Sequence, residues 1–207
     1  DGTHYVVYTQ ADDKRVHDLY LRHLDRALAP LAPPVRITAY APPEKLRTVA
    51  SFSSIELSHD LINIAYRLQR GVSYQVVQLR INPDDPQLSS GGVERPATQP
   101  AKGSEAEGDK LDRVVGQALT LTDETEVQAQ PRITCLEAGC LTVWSDDTHG
   151  AQAAFVSKDT GEVLWRRNFA GAGYRPALGR QGQQAAVAWY EGDRVRFALF
   201  EGSGVAE

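Results

Sequence analysis

Leu141-Thr-Val-Trp144, Ala153-Ala-Phe-Val156, Ala186-Val-Ala-Trp189 and Val195-Arg-Phe-Ala-Leu199 are the stretches whose reading decides the fold. Each is too short for a good helix and is built from the apolar, β-branched and aromatic residues that suit a pleated surface. The first pair is separated by Asp146-Asp-Thr-His-Gly150 and the second by Glu191-Gly-Asp193, residues that tolerate turn geometry. Both pairs therefore read as an apolar strand ending in an aromatic, a polar turn, and a second apolar strand. The same unit stands earlier in the chain, as Tyr5-Val-Val-Tyr8 before Asp18-Leu-Tyr-Leu21 and as Ile62-Asn-Ile-Ala-Tyr66 before Tyr74-Gln-Val-Val-Gln-Leu79.

Working outward, a short strand and turn precedes three of the copies: Ser54-Ile-Glu-Leu-Ser-His-Asp60, Arg132-Ile-Thr-Cys-Leu-Glu-Ala-Gly139 and Arg175-Pro-Ala-Leu-Gly-Arg-Gln-Gly182. A further strand follows three of them, at Val35-Arg-Ile-Thr38, Ala118-Leu-Thr-Leu-Thr122 and Val163-Leu-Trp-Arg166. A four-stranded unit repeated at about 45 residues is the sequence signature of a β-propeller. The expected fold is thus all-β, a propeller or the terminal portion of one, with about four blades over residues 1–40, 52–122, 130–169 and 174–202. The first blade lacks an opening strand and the fourth lacks an obvious last strand after Phe200, so edges are expected to need covering. Residues 82–110, rich in Pro and Gly and poor in large apolar side chains, read as a long disordered insertion within the second blade. The competing architecture takes residues 12–28 and 58–70 as amphipathic helices, because their apolar residues also fall at helical spacing, and makes an α+β domain followed by a separate β domain.

The order of residues in Tyr5-Val-Val-Tyr-Thr9, Asp18-Leu-Tyr-Leu-Arg-His-Leu-Asp25 and Leu141-Thr-Val-Trp-Ser-Asp146 resembles the blades of TolB-type β-propellers. That resemblance implies a non-catalytic binding or scaffold role in an extracytoplasmic bacterial protein. Lys158-Asp-Thr-Gly-Glu-Val-Leu-Trp165 also resembles, once and in shortened form, the D-x-x-T-G-x-x-x-W tail of quinoprotein-type blades. It implies a Trp docking between blades and gives no reason to infer a quinone.

Composition narrows the function classes. Of 207 residues, 42% are hydrophobic and 24% charged, which excludes a collagen, a coiled coil or a chain disordered throughout. With 22 Lys and Arg against 27 Asp and Glu the formal charge is −5, so nucleic acid is not the expected partner. No run approaches the roughly 18 apolar residues of a membrane span, so no membrane insertion is expected. Asp1-Gly2-Thr3-His4 lacks the basic and apolar regions of a signal peptide, and the chain contains no Met; both suggest a processed or excised piece.

Cys135 and Cys140 flank Leu136-Glu-Ala-Gly139, so a hairpin would set them opposite each other within disulfide range. Two free thiols are the alternative; a metal site lacks further ligands beyond His149, and no C-x-x-C motif is present. A disulfide would imply an oxidising compartment. The acidic pairs, Asp146-Asp147 among them, lack the alternating spacing of a calcium loop and read as turn residues. Ser157-Lys-Asp-Thr-Gly161 with Trp165 comes within one residue of the sialidase Asp-box, itself a folding motif on a blade turn. His4, His17, His23, His59 and His149 show no ligand spacing, and no phosphate loop or nucleophile elbow occurs. Tyr8, Tyr66, Trp144 and Trp189 occupy equivalent repeat positions, which points to blade packing, with a carbohydrate or peptide platform as the alternative. Arg166, Arg167 and Arg175 form a small basic cluster. No catalytic residue, metal or cofactor is expected. Asp146, Asp147, His149 and Arg175 are the candidate ligand or partner contacts, and the partner is a protein or the remaining blades of the same propeller. An accessory or substrate-gating propeller of a peptidase or glycosidase is the alternative function.

Overall fold

The computed structural model describes residues 2–11, 16–40, 48–93, 113–122, 130–146, 149–169, 176–202 and 204–205. The chain is all-β apart from one short helix among these residues. The first repeat forms β1 (His4–Ala11) and β2 (His17–Leu24), an antiparallel pair with Tyr8 opposite Tyr20, followed by β3 (Val35–Arg36) alongside β2. β4 (Thr38–Ala39) turns away from β2. The second repeat comprises β5 (Thr48–Ser58), β6 (Leu61–Arg70) and β7 (Ser73–Ile81), then α1 (Pro86–Ser89), β8 (Arg113–Val114), which pairs with β4, and β9 (Gln117–Thr120), which returns to β7. The third is β10 (Arg132–Leu136), β11 (Gly139–Asp146), β12 (Gly150–Ser157) and β13 (Val163–Asn168), and the fourth is β14 (Ala177–Gln181), β15 (Gln184–Glu191), β16 (Arg194–Glu201) and β17 (Gly204–Val205).

Every strand pair read from the repeat is present, and residues 17–24 are a strand despite their helical periodicity. Burial explains why. In β2 Leu19 and Leu21 alternate into the core, together with Tyr5 and Val7 of β1. Two features differ from the expected blades. The first and second repeats are not separate sheets: a single parallel bridge, His17 to Val49, joins β2 to β5 in one seven-stranded sheet. The strand expected at residues 35–38 breaks at Ile37, whose buried side chain separates β3 on one neighbour from β4 on another. After Phe200 the fourth sheet does gain a last strand, the two-residue β17. No strand of the fourth sheet pairs with β1 among the described residues.

The reading of residues 82–110 as an unanchored insertion is corrected at its beginning. Asp85 caps α1 by accepting from Gln87 N at 2.8 Å, Val93 N donates to Arg36 O at 3.0 Å, and Leu88 and Val93 pack on the first core cluster. Val35 of β3 packs against the same cluster. Residues 94–110 lie outside the described residues.

The four repeats pack face against face. Ile62, Ile64 and Tyr66 of β6 meet Leu19, Leu21, Tyr5 and Val7 of the first repeat. Ala65, Val76 and Leu121 on the opposite side of the second repeat meet Cys140, Trp144, Ala154 and Val156. The other side of the third sheet, Leu141, Val143, Ala153 and Phe155, is covered by Ala185, Val187, Trp189 and Phe200. Polar ties cross these layers: Thr142 Oγ1 donates to Gln78 Oε1 at 3.1 Å, and His59 Nε2 lies 2.7 Å from Leu136 O. His59 and Asp60 make the two-residue turn between β5 and β6, both at positive φ, as a type I′ hairpin requires. Arg180 Nη1 donates to Cys135 O and to Glu56 Oε1, each at 2.6 Å, so β5, β10 and β14, the opening strands of three successive repeats, converge on one guanidinium.

Candidate protein interface

The hairpin of β15 and β16 turns through Gly192 and Asp193, with Glu191 opposite Arg194. Gly192 sits at φ 64°, which only glycine adopts without cost. Beyond the turn the register places Tyr190 opposite Val195, Ala188 opposite Phe197 and Ala186 opposite Leu199, all on one side of the sheet. Ala177 and Gly179 of β14 continue the same side, facing Ala188 and Ala186. The alternate residues, Ala185, Val187, Trp189, Ala198 and Phe200, point to the third sheet.

The side that meets nothing among the described residues is apolar. Phe197 is 71% exposed, Val195 61%, Tyr190 58% and Leu199 44%. On this side β16 carries Val195, Phe197 and Leu199, while β14 and β15 carry the small Ala177, Gly179, Ala186 and Ala188. The equivalent side of the preceding sheet is covered. Trp144 lies opposite Gln152 as Trp189 lies opposite Arg196, so Ala186, Ala188, Val195, Phe197 and Leu199 correspond to Leu141, Val143, Ala151, Ala153 and Phe155. All five of the latter are buried, and all five belong to the core cluster that the fourth sheet closes through Val187 and Phe200. The last sheet presents the equivalent side uncovered.

The residues singled out from sequence fall elsewhere. Cys135 and Cys140 are disulfide-bonded across the β10–β11 hairpin with Cα atoms 3.9 Å apart, buried against Ala65 and Ile133. Asp146 is buried and faces its own turn: it accepts from His149 N and from Gln152 Nε2, and His149 Nδ1 lies 3.1 Å away. Its oxygens are therefore engaged inside the turn, while the His149 side chain is half exposed beside them. Asp147 and Arg175 lie outside the described residues. Arg166 and Arg167 lie on β13, opposite Ala154 and Ala153. Trp144 and Tyr66 are buried between sheets, and Trp189 packs on Phe169 with ring centroids 4.5 Å apart. The Ser157 turn is closed by Asp159 N and Thr160 N donating to Ser157 Oγ, both at 3.2 Å. Trp165 beyond it stacks on Phe155 of the third sheet at 5.7 Å and on Phe200 of the fourth at 5.4 Å.

An open cleft of about 720 Å³ lies between Tyr20, Arg36, Gln87, Gly92 and Arg113. Arg36 is committed there, its Nε donating to Tyr20 Oη at 2.8 Å and standing 3.8 Å from buried Asp18. Arg80 is half-withdrawn from water, which lowers its pKa, and it donates to Lys158 O. Among the described residues no three His, Cys, Asp or Glu side chains come together to hold a metal, and no helix is long and apolar enough to cross a membrane. Sequence reasoning missed Phe197 and Arg180. The signal for the first was present, since Val195-Arg-Phe-Ala-Leu-Phe200 carries apolar residues on both sides of the strand, the pattern of a strand covered twice. No family model and no curated protein sequence matches the chain.

Proposed function

We propose that the chain is a non-catalytic, protein-binding module, part of a β-propeller with TolB-type repeats, which works outside the cytoplasm. The observation that carries the reading is the uncovered side of β14–β16, where four large apolar residues stand more than two-fifths exposed. Exposed apolar surface of this kind is costly in water and marks an interaction site. Convergence of β5, β10 and β14 on Arg180 supports a radial arrangement of sheets. The disulfide fits an oxidising compartment.

The test is photo-crosslinking in the native host, with a benzophenone amino acid in place of Phe197 and, as a control, in place of Val72. Val72 is 82% exposed in the β6–β7 turn, outside the uncovered side. A protein adduct is expected at position 197 and none at position 72. No adduct at 197 sinks the reading.

A further inference from the structure

Three times in this chain the aromatic-bearing side of one repeat covers the opposite side of the repeat before it. Tyr66 lies on the side of β6 that meets β1 and β2, Trp144 on the side of β11 that meets the second repeat, and Trp189 on the side of β15 that meets the third. By the same register Tyr8 is the fourth member, since it lies opposite Tyr20 as Trp144 lies opposite Gln152. Its side of the first repeat carries His4, Val6, Tyr8, Tyr20, Arg22 and Leu24, none of them buried, with Val6 42% exposed, while at the far end of the pair Asp18, opposite Gln10, is buried and accepts from Tyr40 N. The two tyrosine rings stack at 5.9 Å. Among the described residues this is the one aromatic-bearing side without a sheet in front of it. The side of β14–β16 described above is the one opposite side without a sheet behind it.

We infer that these two surfaces are partners: the Tyr8–Tyr20 side of a second copy of this chain covers Val195, Phe197 and Leu199, head to tail. The inference rests on the reading of that face as a protein interface. Its geometry continues an interface the chain already makes three times. Charge agrees, because Arg22 and His4 flank the tyrosines, while Glu201 shares the uncovered side of β16 with Leu199. The contact is heterologous, so each copy uses one surface to give and another to receive, and the assembly closes if the rotation allows. Two copies of four repeats would make a ring of about eight repeat units, within the range of closed propellers.

Purified chain is examined by sedimentation velocity over a concentration series, with Phe197→Asp and Val6→Glu as variants and near-UV circular dichroism to verify native packing. Both positions are exposed, so both variants are expected to fold. Wild type should self-associate, each variant alone should weaken association by roughly thirtyfold or more, the effect of losing an interface hot spot, and an equimolar mixture of the two variants should recover a heterodimer, because one intact surface of each kind remains. A wild type that is monomeric throughout overturns the inference, as does association broken by Phe197→Asp but untouched by Val6→Glu, which would mean that two β16 faces meet each other. The crosslink at position 197 separates the two levels: a monomeric chain that crosslinks there to a different protein loses the second copy and keeps the interface, whereas no adduct loses both.

Discussion

Arg180 holds three strands through two bonds of one nitrogen, yet its side chain is 38% exposed and its partner Glu56 21%. An exposed ion pair alone contributes less than about 1 kcal/mol. The bond to Cys135 O is the stronger part, because that carbonyl belongs to a buried residue and has little access to water once the guanidinium leaves. Arg180→Gln is therefore expected to destabilise the chain by about 1–2 kcal/mol and Glu56→Gln by less, as read from urea midpoints at unchanged slope. Asp146 makes a parallel case. It accepts from the backbone of His149 and the side chain of Gln152, so Asp146→Ala leaves partly buried donors unmet and should cost about 1–3 kcal/mol, whereas His149→Ala, half exposed, should cost little. Equal, negligible effects of both would show that Asp146 does not close the turn.

Phe197 and Phe200 lie on one strand three residues apart and experience opposite environments. Phe200 is 1% exposed and its ring meets Trp165 at 5.4 Å and Phe169 edge-on at 6.1 Å. Phe200→Ala should cost about 3–5 kcal/mol, while Phe197→Ser should leave the unfolding free energy of the monomer within about 0.5 kcal/mol of wild type. The contrast follows from the period-two alternation of a strand, and the same alternation made most of the fold legible. The turn residues and aromatic ends of the repeat located the hairpins, including β2, where helical spacing argued otherwise. The Cys135–Cys140 pairing was legible because a hairpin sets its arms opposite each other. The loop it closes is short, so replacing both cysteines should cost less than the ~3 kcal/mol of a 15-residue loop, and thiol titration of the denatured, unreduced chain should find none free. What escaped was non-local. The parallel bridge from His17 to Val49, the break at Ile37 and the reach of Arg180 to Glu56 depend on where distant strands come to lie, and no spacing along the chain encodes that.

At the scale of the whole molecule the sheets form a series in which each touches its neighbours, so local stability depends on how many sides of a sheet are covered. The third sheet is covered on both sides: β11 is buried along its whole length and β12 nearly so. The fourth is covered on one side only, and β16 is exposed at six of its eight positions. Amide exchange under native conditions should therefore be slowest in β11 and β12 and markedly faster in β16, with β15 between them, because opening the last sheet exposes only the contacts around Val187 and Phe200. Exchange measured at rising protein concentration adds a second constraint. Covering Phe197 and Leu199 with a second copy would give the fourth sheet the two-sided burial that the third already has, so protection should rise in β16 and on the matching strands β1 and β2 while β11 and β12 stay unchanged. Equal protection across all four repeats in the dilute chain would mean that the series opens as one unit and that an uncovered side costs the last sheet nothing.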